Sequence, residues 1–113
     1  MSENEQFQSY LTELRRGSLT LAVLGCLHAS HYGYALLQTM QEKGISIEAN
    51  TLYPLLRRLE SHGLLESDWN TQESRPRKYY IISEKGKQIF AMLLAEWKDM
   101  QKSLDCICKE ENT

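Results

Sequence analysis

NTLYPLLRRLESHGLL, residues 50–65, places two adjacent arginines in the middle of a leucine-rich segment, with a proline just ahead of them. At about 100° per residue, Leu52, Leu55, Leu56 and Leu59 fall on one side of a helix, and Asn50, Tyr53, Pro54, Arg57 and Ser61 fall on the other. The helix is predicted over residues 50–62. Pro54 belongs near its start, because the ring clashes with the carbonyl four residues earlier, and Gly63 stands where a left-handed C-terminal cap is expected. A solvated face explains most polar helix surfaces. Here it would have to hold a tyrosine in water one turn from an arginine, with Glu60, three residues on, as the one carboxylate at helical spacing from Arg57. A nucleic-acid groove gives these side chains work: Arg57 can donate a bidentate pair to a guanine edge or a phosphate, while Asn50, Thr51 and Tyr53 can reach phosphates near the helix start.

The flanking sequence supports such a surface. Upstream, residues 33–43 are predicted to form a shorter helix that buries Tyr34, Leu37 and Met40 and ends at Gly44. A brief link, ISIEA, joins it to the leucine-rich helix, and two helices so joined make a helix-turn-helix whose second member reads DNA. Downstream, LLESDW and KYYIIS are strand-like runs joined by the polar loop NTQESRPR. The resulting hairpin carries Arg75, Arg77 and Lys78 at or beside its tip, as a wing gripping a duplex would. Before all of these, Phe7, Tyr10, Leu11, Leu14, Leu21, Leu24 and Leu27 recur mostly at three and four, giving a long first helix over residues 6–27. Ser83 caps a last helix with Glu84 in its first turn, running to about residue 108. The expected fold is mainly α with a small β-hairpin, a winged helix-turn-helix with N- and C-terminal dimerisation helices. Residues 1–83 form the DNA-binding unit with its N-terminal helix, and residues 84–113 the C-terminal dimerisation helix.

Composition sets the bounds. The chain has 113 residues, 42% of them hydrophobic and 25% charged, which suits one globular domain. The net charge of −2 does not announce a nucleic-acid partner, but its distribution does more: residues 50–87 carry seven Lys/Arg against five Asp/Glu, while residues 1–49 and 88–113 each carry three against five. The segment RPRKYYIISEKGK alone holds five basic residues and one acidic one. No run of about 18 apolar residues occurs and the N-terminus is polar and acidic, so a cytoplasmic protein without a membrane partner is expected. Cys26, Cys106 and Cys108 lack the paired spacing of a metal or redox motif, and His28, His31 and His62 show no ligand spacing. No metal or cofactor is expected, and no catalytic arrangement of nucleophile, base and acid appears.

The last helix carries Ile89, Leu93, Trp97, Met100, Leu104 and Ile107 at steps of four, four, three, four and three, an a/d seam over nearly three heptads. A helix of some 25 residues is about 37 Å long and outruns a core this small. Pairing between two chains is the expected use.

In this order along the chain, LRRGSLTLAVLGCL (14–27), YGYALLQ (32–38), NTLYPLLRRLESHGLL (50–65), RPRKYYIIS (75–83) and Glu96-Trp97 resemble the PadR-like transcriptional regulators, winged helix-turn-helix repressors named for control of phenolic acid detoxification. The chain looks like the compact subgroup in which a single terminal helix makes the dimer. The resemblance implies homodimers on palindromic operators of double-stranded DNA, with Tyr53 and its neighbours in the reading helix and the basic wing on the duplex. It also implies a planar aromatic small-molecule effector stacked on Trp97 and its symmetry mate, with Leu94, Phe7 and Leu11 lining the pocket. Three classes stay open at this point: a DNA-binding, ligand-responsive repressor, a winged-helix protein-interaction module, and a small-molecule-binding dimer without DNA binding.

Overall fold

The chain folds as α1 (Glu3–Cys26), β1 (His31–Tyr32), α2 (Gly33–Glu42), α3 (Ala49–Ser61), β2 (Leu65–Asn70), β3 (Arg77–Ile82) and α4 (Glu84–Glu111). The computed structural model describes residues 1–72 and 74–111, the last two of these by backbone alone. The four leucines of α3 are all buried, as their spacing requires, against Val23, Leu24 and Leu27 at the end of α1, Leu36 and Met40 of α2, and Leu65, Tyr80 and Ile82 of the sheet. Tyr34 departs from expectation: it is exposed, and Leu36 takes the core position that its ring was expected to fill. The buried positions of α2 are Gly33, Leu36 and Met40, a three-four spacing that turns residue 34 outward.

Helix ends follow their glycines. Gly44 and Gly63 take φ of 88° and 77°, the left-handed region that a side chain strains to enter. Beyond each, an amide closes back on the helix, Ile45 to the Met40 carbonyl at 2.9 Å and Leu64 to the Leu59 carbonyl at 3.0 Å. Pro54 sits further in than expected, as the sixth residue of α3, so its ring removes the amide that would bond the Asn50 carbonyl. Both residues are exposed, which leaves that carbonyl to water on the outward face.

The expected hairpin of β2 and β3 forms, with Leu65 opposite Ile82 at its base and Asn70 opposite Arg77 near its tip. It is not alone. The two residues of β1 pair with β3, His31 opposite Tyr80 and Tyr32 opposite Tyr79, making a three-stranded antiparallel sheet in the order β1-β3-β2.

Ser83 joins the sheet to α4. Its hydroxyl accepts from the Gly86 amide at 2.9 Å, capping the helix, and donates to the Gly63 carbonyl at 2.6 Å. Its own amide donates to the Leu64 carbonyl at 3.0 Å. The packing there is tight: a Cβ on Gly86 would lie 2.1 Å from the Leu64 carbonyl oxygen. From this joint α4 runs 28 residues, about 42 Å, with Phe90 packed on the core and the seam beyond it uncovered. Met100, Leu104 and Ile107 are exposed, Leu104 by 60%, as are Phe7, Tyr10 and Leu14 on the first half of α1. Among the described residues no helix is long and apolar enough to cross a membrane.

Candidate nucleic-acid interface

Burying the leucine face of α3 fixes what the helix shows outward. Asn50, Thr51, Pro54 and Arg57 are exposed on it, and Tyr53 is half-buried. Arg57 makes no ion pair among the described residues, which leaves its guanidinium for an outside acceptor. Tyr53 is held from beneath by the first residue of α2, so closely that a Cβ on Gly33 would lie 2.4 Å from the tyrosine Cε1. The ring thus stands on a glycine, at a set angle to the helix.

The wing meets the same surface. Tyr53, Trp69, Arg75, Arg77 and Lys78 line one cleft of about 590 Å3 between α3, the start of α2 and the hairpin. Arg77 lies over the Tyr32 ring at 4.4 Å, and Tyr32 in turn meets Tyr79 edge-on at 5.6 Å. The short strand β1 therefore supplies a π-face that orients a wing cation. Arg75 is exposed near the tip. Lys78 is engaged elsewhere: its Nζ donates to Glu60 Oε1 at 3.0 Å, and the Ser67 hydroxyl donates to the other oxygen of that carboxylate. The Ser67 hydroxyl first, then Lys78, hold the Glu60 carboxyl below its ordinary range, and the Glu60 hydrogen bond holds the Lys78 ammonium above its own. The trio links α3, β2 and β3.

Trp69, 59% exposed beside Arg77 and Lys78, joins the cleft from outside the expected site residues, as do Tyr32 and Tyr34. Trp69 faces Lys78 across the ladder. Its signal was present, an aromatic in an alternating strand next to the basic loop, but the run reads equally as core.

The residues expected around an effector are only partly gathered. Trp97, 42% exposed, lines two grooves, one on each side of the contact between α1 and α4. The first, about 890 Å3, is walled by Tyr10, Leu14, Leu21, Leu93, Met100 and Leu104. The second, about 770 Å3, includes Leu94, Phe90 and Cys26, whose thiol is pushed up by burial and pulled down by Lys43. Phe7 and Leu11 line neither groove. Of the seam, Ile89 is half-buried in its own chain, while Leu93, Trp97, Met100, Leu104 and Ile107 are exposed. Among the described residues, no group of three or more His, Cys, Asp or Glu is placed to hold a metal ion.

A helix pair whose second member turns a polar face outward, followed by a hairpin that brings cations to that face, defines the winged helix-turn-helix class of DNA-binding proteins. Similarity to known proteins narrows this class. Residues 21–92 match the sequence model of the Transcriptional regulator PadR-like family. A PadR family regulator from Eggerthella lenta is 43% identical, with a TM-score of 0.86 over 92% of this chain and 93% of that one. The Transcriptional regulator Rv3488 of Mycobacterium tuberculosis is 32% identical over 80 residues, 68% of this chain and 73% of that protein. Bacillus subtilis PadR, solved in complex with operator DNA, is 26% identical with a TM-score of 0.64, covering 71% of this chain and 48% of that one. The chain belongs to the PadR-like family of transcriptional regulators, DNA-binding proteins and not enzymes.

Proposed function

We propose that this regulator represses transcription by binding a palindromic operator as a homodimer, and that a planar aromatic small molecule near Trp97 releases it. The observation that carries the DNA-binding part is the cleft shared by Tyr53, Arg75 and Arg77 beside the exposed Asn50, Thr51, Pro54 and Arg57, because a groove-reading helix and backbone-gripping cations must face one duplex together. Within this reading, residues 1–83 read DNA and residues 84–113 pair the chains. The uncovered seam of α4 and the exposed first half of α1 support the pairing, since a second copy would bury both. Trp97, standing between two grooves, supports the effector site, and Leu94 rather than Phe7 or Leu11 is its partner there.

Genomic footprinting of the tagged protein identifies the operator, and anisotropy titrations over a salt series then measure the phosphate contacts. Affinity is expected to fall steeply with salt. Arg57→Ala should lose most operator binding at an unchanged melting temperature, whereas Leu56→Ala opens a core cavity costing roughly 2–5 kcal/mol of stability. Weak binding that is flat with salt for every duplex, including DNA upstream of the protein's own gene, would leave a protein-interaction module.

A further inference from the structure

Glu60 lies on the reading helix, and a carboxylate so near a DNA surface repels phosphate. Its two oxygens are both occupied, one by Lys78 and the other by Ser67. Lys78 lines the cleft with Tyr53 and Arg77, inside the surface that a duplex would cover, yet 29% of its side chain and 30% of that of Glu60 are exposed. An ion pair this open to solvent adds little to stability. We infer that Glu60 is a specificity-setting residue that withholds Lys78 from the DNA backbone and so lowers sequence-independent affinity. The inference rests on the DNA-binding reading above.

The physical reason is competition. A phosphate beside Lys78 competes with a carboxylate that is already bonded to it and repels that phosphate, and Ser67 holds the carboxylate in place. Arg75 stands exposed near the tip of the wing, and Arg77 is oriented by the Tyr32 ring. Backbone affinity therefore comes chiefly from Arg75 and Arg57, and base recognition by α3 carries a larger share of binding than the number of wing cations implies.

The test uses a random-sequence duplex, a salt series, and four proteins: wild type, Glu60→Gln, Lys78→Gln and the double variant. Each additional phosphate that a cation neutralises steepens the slope of log Kobs against log salt by about 0.9. Glu60→Gln is expected to steepen it by about that amount per chain bound and to tighten binding several-fold at low salt. Lys78→Gln bares the Glu60 carboxylate and should bind more weakly with a flatter slope, while the double variant, which loses both charges, should return to wild type. Both single variants lose the same ion pair, so a merely structural role would move them in the same direction. An unchanged or shallower slope for Glu60→Gln, or a double variant as steep as Glu60→Gln, would overturn the inference alone. A wild type with no salt-dependent binding would overturn the DNA-binding reading and this inference with it.

Discussion

Gly33 and Tyr53 touch where α2 begins, and the contact has a direct consequence for recognition. A methyl group at residue 33 cannot coexist with the tyrosine ring 2.4 Å away, but the ring is the far end of a side chain and can swing. Gly33→Ala should therefore fold with little change in melting temperature while turning Tyr53 off its platform. Operator affinity is expected to drop about tenfold, near 1.4 kcal/mol, measured by anisotropy at fixed salt. A loss of stability comparable to that of Leu56→Ala would instead make the glycine a core packing position. The residues of this site differ in how far the sequence announced them. Asn50, Tyr53 and Arg57 followed from the leucines opposite them, since one helical face determines the other. Tyr34 did not, because an amphipathic ring satisfies either face and only the spacing of Gly33, Leu36 and Met40 decides. The pairing of Lys78 with Glu60 joins residues 18 apart across two elements, and periodicity within a helix or strand cannot reveal it.

At the scale of elements, α1 to α4 and the hairpin were legible because caps, glycines and apolar spacing agreed with one another. The strand β1 was not: two residues are too few to show alternation, and their pairing depends on where Tyr79 and Tyr80 lie in space. Ser83 is the clearest case of a local signal with a long-range role, for the cap read from sequence also bonds Gly63. Ser83→Ala should cost about 1–2 kcal/mol in urea unfolding, since it removes a helix cap and leaves the Gly63 carbonyl without its donor. Gly86→Ala should cost about 3 kcal/mol or more, because the atom its Cβ would strike is the Leu64 backbone oxygen, which cannot swing aside. A Gly86→Ala protein as stable as wild type would show that α4 is loosely seated on the α3–β2 turn.

For the whole molecule, the proposed pairing of two chains rests on the seam exposed beyond Phe90. Leu104→Glu puts a charge at a position that is 60% exposed in one chain, so the fold itself should tolerate it. In a dimer the same charge would be buried and unpaired, and sedimentation is expected to show the variant as a monomer where wild type is not. A dimer persisting in Leu104→Glu would move the interface elsewhere. The joint at Ser83 then acquires a mechanical meaning. Because Ser83 and Gly86 press the start of α4 onto the turn that ends the reading helix, there is no slack there to absorb a tilt. Trp97 lies some 20 Å along α4 from that joint at about 1.5 Å per residue, so a molecule wedging the ring aside by about 2 Å turns the axis by about 6°. On the effector reading proposed above, the helix would be a lever whose short arm is the turn carrying α3 and the wing. A regulator that sensed an effector beside Trp97, as proposed, would need no flexible hinge between sensing and reading.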